Sequence, residues 1–130
     1  MNHLVSDFII RIKNAGLAKR KEIELPFSNI NRSIGKVLVK EGFLEDIKEE
    51  KDKNKRSLKV TIRYEKRSPV FSKVQVVSKP SLRIYKTAKS LADMERRGRH
   101  TILVSTSQGV MTSIQARKKG VGGEVLFEIW

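Results

Sequence analysis

Ser105-Thr106-Ser107-Gln108-Gly109 sets three hydroxyls in succession behind the apolar run Thr101-Ile102-Leu103-Val104. Each hydroxyl donates one hydrogen bond and accepts others, so the group suits a surface that mixes donors and acceptors. The minor groove of an RNA helix, lined by 2′-hydroxyls and base edges, is such a surface. Gly109 lets the backbone turn or approach a partner closely, and Thr112 can cap a helix that follows. An ordinary polar turn would also explain these residue types. Thr112 already supplies the cap, however, and the three upstream hydroxyls are left without a structural task.

Other reactive groupings are poor. His3 and His100 are the only histidines, they lie far apart, and neither belongs to a His-x-x-x-His or His-Glu-x-x-His pattern. There is no cysteine, which removes both disulfides and cysteine-ligated zinc. Gly120-Val121-Gly122-Gly123 precedes a strand pattern rather than a helix, and no nucleophile elbow occurs. A hydrolase built on Ser105 or Ser107 with His100 as base would need a shaped pocket that an RNA-facing loop does not offer. We therefore expect no enzyme activity, no metal and no cofactor.

Lysine and arginine number 28 against 14 acidic residues, a net charge of +14 on 130 residues. Solubility asks for only about 2 to 8 on a small domain, so the excess points to an anionic partner. Residues 1–50 hold nine basic and eight acidic side chains, residues 51–99 sixteen and four, residues 100–130 three and two. The middle third should supply the long-range attraction, while the hydroxyl segment is nearly neutral and suited to close reading. No apolar run approaches the roughly 18 residues of a membrane span, and the expectation is a soluble, unexported protein without membrane partners, monomeric when free.

The elements that must position these residues read as α+β in two small lobes. Residues 5–18 carry Val5, Phe8, Ile9, Ile12 and Ala15 at helical spacing, and a short strand is expected over residues 22–25. Ser28 precedes a helix with Ile30, Ile34, Val37 and Leu38 on one face and Gly42 as its stop. Residues 43–48 and 57–64 read as strands joined by a polar turn over residues 50–55. The helix-rich amino-terminal lobe, ordered α-β-α-β-β, takes residues 1–66, and Glu65-Lys66-Arg67-Ser68-Pro69 marks the boundary. Residues 70–130 form the strand-rich lobe: strands over 73–78, 82–86, 101–105 and 124–130, one short helix over 112–119, and an irregular or single-turn element over 88–97.

Five segments in this order and at these separations carry a resemblance. They are Ser6-Asp7-Phe8-Ile9-Ile10-Arg11-Ile12-Lys13-Asn14-Ala15, Glu41-Gly42-Phe43-Leu44-Glu45-Asp46, Ser78-Lys79-Pro80-Ser81-Leu82-Arg83-Ile84-Tyr85, the run Ser105 to Thr112, and the terminus from Gly120 to Trp130. Taken together they resemble the bacterial-type family of ribosomal protein eight of the small subunit, across essentially the whole chain.

That resemblance implies a structural protein that binds the central domain of small-subunit rRNA early in assembly, among neighbouring ribosomal proteins, on a cytoplasmic ribosome or an organellar one. It also implies an RNA site. Ser105, Thr106, Ser107, Gln108 and Gly109 would enter a minor groove, and Tyr85 would stack on a base or offer its hydroxyl. Lys79, Pro80 and Arg83 would sit beside that contact, with Gly122, Gly123 and Glu124, and with Arg11 and Asn14 from the first helix. Binding to its own message as a translational repressor is the alternative that the family also suggests. The chain departs from the family pattern at Ser81, where glycine is usual and a positive φ would strain the turn. Other departures are Gln108 for a basic residue, Ser113 for aspartate, the basic run Arg96-Arg97-Gly98-Arg99-His100, and Phe127 and Glu128 near the end.

Overall fold

The computed structural model describes residues 2–98 and 100–130. The chain divides into two compact units, Asp7–Ser72 and Lys73–Trp130, the latter joined by the residues up to Ser6.

Helix α1 (Asn2–Leu17) follows the apolar spacing, with Phe8, Ile9, Ile12 and Ala15 all buried. Strand β1 (Glu22–Pro26) comes next, then helix α2 (Asn29–Lys40). Ser28 caps α2, its hydroxyl accepting from the Asn31 amide at 3.1 Å. Ile34 and Leu38 form its buried seam. Gly42, at φ +87, ends it by letting the Phe43 amide reach the Leu38 carbonyl at 2.9 Å. Strands β2 (Leu44–Asp52) and β3 (Lys55–Ile62) pair antiparallel, and the sheet order is β1-β3-β2. Leu58, Val60 and Ile62 alternate inward along β3.

The β2–β3 hairpin turns on two residues, Lys53 and Asn54, where the sequence predicted a polar turn of six. Every residue from Lys48 to Arg56 is exposed, so no alternation betrays a strand there. Cross-strand charge carries the pairing instead: Glu49 binds Arg56, which also lies 3.8 Å from the centre of the Phe27 ring, and Lys59 reaches Glu22 at 3.3 Å. A small hairpin, β4 (Tyr64–Glu65) with β5 (Ser68–Pro69), completes this unit.

In the second unit, β6 (Val74–Val76), β7 (Tyr85–Lys86), α3 (Ala88–Glu95), β8 (Thr101–Thr106), β9 (Gly109–Thr112), α4 (Ser113–Lys118) and β10 (Gly123–Ile129) follow in order. The sheet runs β6-β10-β8-β9, and β7 pairs with the start of β10. Leu91 and Met94 from α3 and Ala116 from α4 pack with Ile102, Val104, Met111 and Val125 in one buried cluster.

Two elements here differ from the sequence reading. Residues 88–95 form a full helix rather than a single turn, so this unit holds two short helices and not one. Its seam is only Leu91 and Met94, too narrow to register as periodicity, and its start is fixed by Thr87, whose hydroxyl accepts from the Ser90 amide at 3.2 Å. Strand β9 was hidden because four residues beginning with glycine carry little strand signal.

Arg117 of α4 grips Glu95 of α3 with both arms, at 2.9 and 2.8 Å. The guanidinium holds the Glu95 carboxyl below its ordinary value of 4.5. A depressed folded value means stability that is complete above the unfolded value and is lost as pH falls through the folded one. In Glu95→Gln the thermal midpoint should fall by an amount equivalent to about 0.5 to 1 kcal/mol at neutral pH, and the gap to wild type should close as the solution is acidified below that range. Leu91→Ala removes the centre of the α3 seam and should cost about 2 to 5 kcal/mol in denaturant unfolding, with the midpoint lowered and the slope retained.

Candidate nucleic-acid interface

The hydroxyl segment is the tip of a hairpin rather than a loop running into a helix. Thr106 pairs with Gly109, leaving Ser107 and Gln108 as a two-residue turn between β8 and β9. Thr106 organises that turn with its side chain. Its Oγ1 donates to the Gly109 carbonyl at 2.8 Å and accepts from the Gln108 amide at 3.0 Å. Gly109 adopts φ +109, a conformation that side-chain-bearing residues rarely take. The three hydroxyls therefore divide their work: Thr106 faces its own backbone, Ser107 is exposed at the tip, and Ser105 is half-buried one step back. The far end is also fixed. Thr112 caps α4 in a reciprocal pair with Gln115: its Oγ1 accepts from the Gln115 amide at 3.3 Å, and its own amide donates to Gln115 Oε1 at 3.1 Å.

Register across the sheet sets out a row. Tyr85 stands opposite Glu124, Glu124 opposite Ser105, and Ser105 opposite Val110. Directly paired residues share a face, while Val125, Val104 and Met111 one step along point to the buried cluster under α3 and α4. Tyr85 is 64% exposed. Glu124 is only 7% exposed, and its Oε2 has no hydrogen-bond partner. Arg117, a nearby cation in the sequence, is committed to Glu95 instead.

Gly122 and Gly123 have a reason internal to the sheet. A Cβ at Gly123 would stand 2.1 Å from the Ser105 carbonyl oxygen, and one at Gly122 would stand 2.3 Å from that of Lys86. Only glycine admits β7 and β8 this close to β10. The same register places Lys86 opposite Gly123 and Gly123 opposite Thr106, so an exposed ammonium that the sequence reading passed over lies in the row of the hairpin tip. Its one sequence signal was a cation directly following Tyr85.

Lys79, Pro80, Ser81, Leu82 and Arg83 are all exposed, on a tight turn closed by Lys79 and Leu82 exchanging backbone hydrogen bonds at 2.9 and 3.0 Å. Buried Ser78 anchors it, its Oγ accepting from the Ile84 amide at 2.9 Å. Ser81 is not among the residues with positive φ, so serine replaces the family's glycine there without the strain that the sequence raised.

Arg11 and Asn14 belong to the other unit. Both are exposed on α1 and line a cleft with Arg20, Glu22 and Glu24, and Arg11 Nε contacts Asp7 at 3.2 Å. His100 leaves the basic run in which it was read. Its side chain is 2% exposed, stacked on Trp130 at 4.8 Å, with Nε2 3.0 Å from Glu128 Oε1 and Nδ1 3.1 Å from the Gly98 carbonyl. With both ring nitrogens engaged, at the opposite end of β8 from Ser105, it is no base for a serine nucleophile. Arg96 and Arg97 are exposed as read, and Arg99 lies outside the described residues.

A family model described as Ribosomal protein S8 matches residues 3–130. The chain is 39% identical over 132 residues to small ribosomal subunit protein uS8 of Thermosynechococcus vestitus, covering all of this chain and 98% of that protein. It is 42% identical over 126 residues to uS8 of Wigglesworthia glossinidia brevipalpis, covering 97% and 95%. It is 37% identical over 131 residues to uS8c of Physcomitrium patens, covering 99% and 98%. Model and relatives agree along the whole length, and the chain belongs to the ribosomal protein S8 family, whose members are structural, non-enzymatic components of the ribosome.

Proposed function

We propose that this protein binds the central domain of small-subunit rRNA and holds a helix of it in place during assembly, in the cytoplasm and beside neighbouring ribosomal proteins. The relatives' names supply the subunit. The observation that carries the RNA contact is the row Tyr85, Glu124, Ser105, with an unpartnered carboxylate oxygen between an exposed ring and a hydroxyl.

A buried acceptor without a donor is costly, by about 1 to 3 kcal/mol or more for a charged group. The row tolerates it because the partner arrives with the RNA. Base amino groups donate to carboxylates, and so does a ribose 2′-hydroxyl. Glu124 also discriminates. A carboxylate repels phosphates, so it penalises RNA that offers only its backbone and favours RNA whose base edges or riboses reach the row. The exposed Tyr85 ring is a platform for a splayed base, and the Ser107-Gln108 tip is held by Thr106 in one conformation before the RNA comes. Lys79 and Arg83, exposed on the turn that leads into β7, supply counterion release without sequence information.

Tyr85→Ala should weaken binding to a central-domain rRNA fragment by about 1 to 3 kcal/mol while leaving the salt dependence unchanged, as measured by titration at several KCl concentrations. Glu124→Ala should lose about as much on the same fragment and bind an unrelated regular duplex no worse than wild type. If Glu124→Ala, folded by circular dichroism, bound the fragment as wild type does, the row would not be the reading surface. Competition with the leader of the protein's own transcript reports whether the same row serves repression.

A further inference from the structure

Charge is divided evenly between the two units: Asp7–Ser72 holds seventeen basic and ten acidic side chains, and the remainder of the chain eleven and four, an excess of seven in each. The reading surface above uses only one of these halves, and within Asp7–Ser72 the cations fall into two kinds. Along the β2–β3 hairpin, Arg32 and Arg56 share Glu49, Lys48 meets Asp46, and Lys59 meets Glu22 and Glu50. Lys19, Arg20, Lys21, Lys66 and Arg67 are among the larger number that make no ion pair among the described residues, and these five are all exposed.

These five come from segments more than forty residues apart, and the fold ties them together deliberately. The Tyr64 hydroxyl donates to the Arg20 carbonyl, and the Ile62 amide donates to the Lys21 carbonyl at 2.8 Å. Lys19, Lys21 and Arg67 then line one groove of about 480 Å³ with Ile62, Tyr64 and a single acid, Glu45. The backbone is strained at the same place. Lys66 and Arg67 are the two central residues of the β4–β5 turn, at φ 51 and 68, and Lys19 is at φ 57. Positive φ at both positions is the pattern of a type I′ turn, which ordinarily takes Asn-Gly. Two long cations in those positions raise the conformational cost of the turn, and crowding them beside a further basic triplet adds repulsion within a screening length.

We propose that this groove is a second RNA contact, gripping the sugar-phosphate backbone of an RNA strand. Phosphates neutralise Lys19, Lys21 and Arg67 along the groove, and a ribose lies against the half-buried Tyr64 ring. A groove of this size, with cations spread over two segments, suits a run of phosphates better than one isolated anion. Contacts of this kind to phosphate and sugar position the RNA and carry no sequence information. The inference takes from the proposed function only that the anion is RNA.

The test uses the full-length protein and two transcripts, one holding the whole rRNA central domain and one holding only a short hairpin that occupies the Tyr85 row. Lys66→Asn combined with Arg67→Gly removes both charges and supplies the residues that the turn prefers. It should raise the thermal midpoint and yet lower the slope of log affinity against log salt on the long transcript by about 0.7 to 0.9, as loss of the one phosphate contact at Arg67 requires. Lys19→Ala with Lys21→Ala, which leaves the turn intact, should lower the slope by about 1.4 to 1.8, and neither pair should alter binding to the short hairpin. Unchanged slope and affinity in both pairs, with the Tyr85→Ala loss still present, would overturn the groove while sparing the proposed function. Loss in none of the three variants would overturn both, and unchanged RNA binding with defective incorporation beside a ribosomal protein would assign the groove to a protein partner instead.

Discussion

Strand β10 is the constraint on which the reading surface depends. It is buried along most of its length and paired on both edges, with β8 along one side and β6 and β7 in succession along the other. Its first residue, Gly123, and Gly122 just before it admit no side chain, because the carbonyls of Ser105 and Lys86 stand where a Cβ would be. This fixes register without help from turn chemistry. Side chains alternate with period two, so a slip of one residue would send Glu124 and Ser105 into the core under α3 and α4 and bring Val125 and Val104 to the surface. The irregularity between Val125 and Phe127 lets the same strand satisfy one register toward Ser105 and another toward Thr101.

Rigidity at the hairpin tip follows from that frame. Backbone pairing brings Thr106 opposite Gly109, and the Thr106 hydroxyl then closes the turn from within. By bonding to its own backbone, the Thr106 hydroxyl spares a partner the entropy of ordering the turn. The capping box of α4 and the anchoring of the 79–82 turn by Ser78 act in the same way on either side. A surface that recognises shape has to possess one before the partner arrives, and here local hydrogen bonds provide it.

Electrostatics is handled differently in the two settings. Near the β2–β3 hairpin, opposite charges are interleaved and largely cancel, so they support pairing and little else. Around Lys19 and Arg67 like charges are gathered and left unanswered, and around Glu124 a single negative charge is set among polar groups with one oxygen unsatisfied. Unbalanced charge of either sign is unfavourable in the free protein. In the proposed reading, an external counterpart answers both arrangements, with donors in one case and phosphates in the other.

Much of this was legible in the residues themselves. The apolar spacing of α1 and α2, the Ser28 and Thr112 caps, the alternation of Leu58, Val60 and Ile62 and the helix-then-strand order all rest on local periodicity and capping chemistry, which sequence records directly. The family was legible too: five motifs in order pointed to it, and the family model and relatives of 37% to 42% identity agree. What the sequence left open depended on partners distant in the chain. Strand β9 and helix α3 exist because β8 and the core beside them complete a pairing or a seam too short to announce itself. His100 reads as one more surface charge until Glu128 and Trp130 enclose it. Gly122 and Gly123 read as freedom and prove to be clearance. The joining of residues 19–21 to residues 62–67 follows from hydrogen bonds across the fold, which no local pattern encodes. Sequence determined which segments bury and what the chain attracts; only tertiary pairing decided which polar groups were satisfied internally and which were left for a partner.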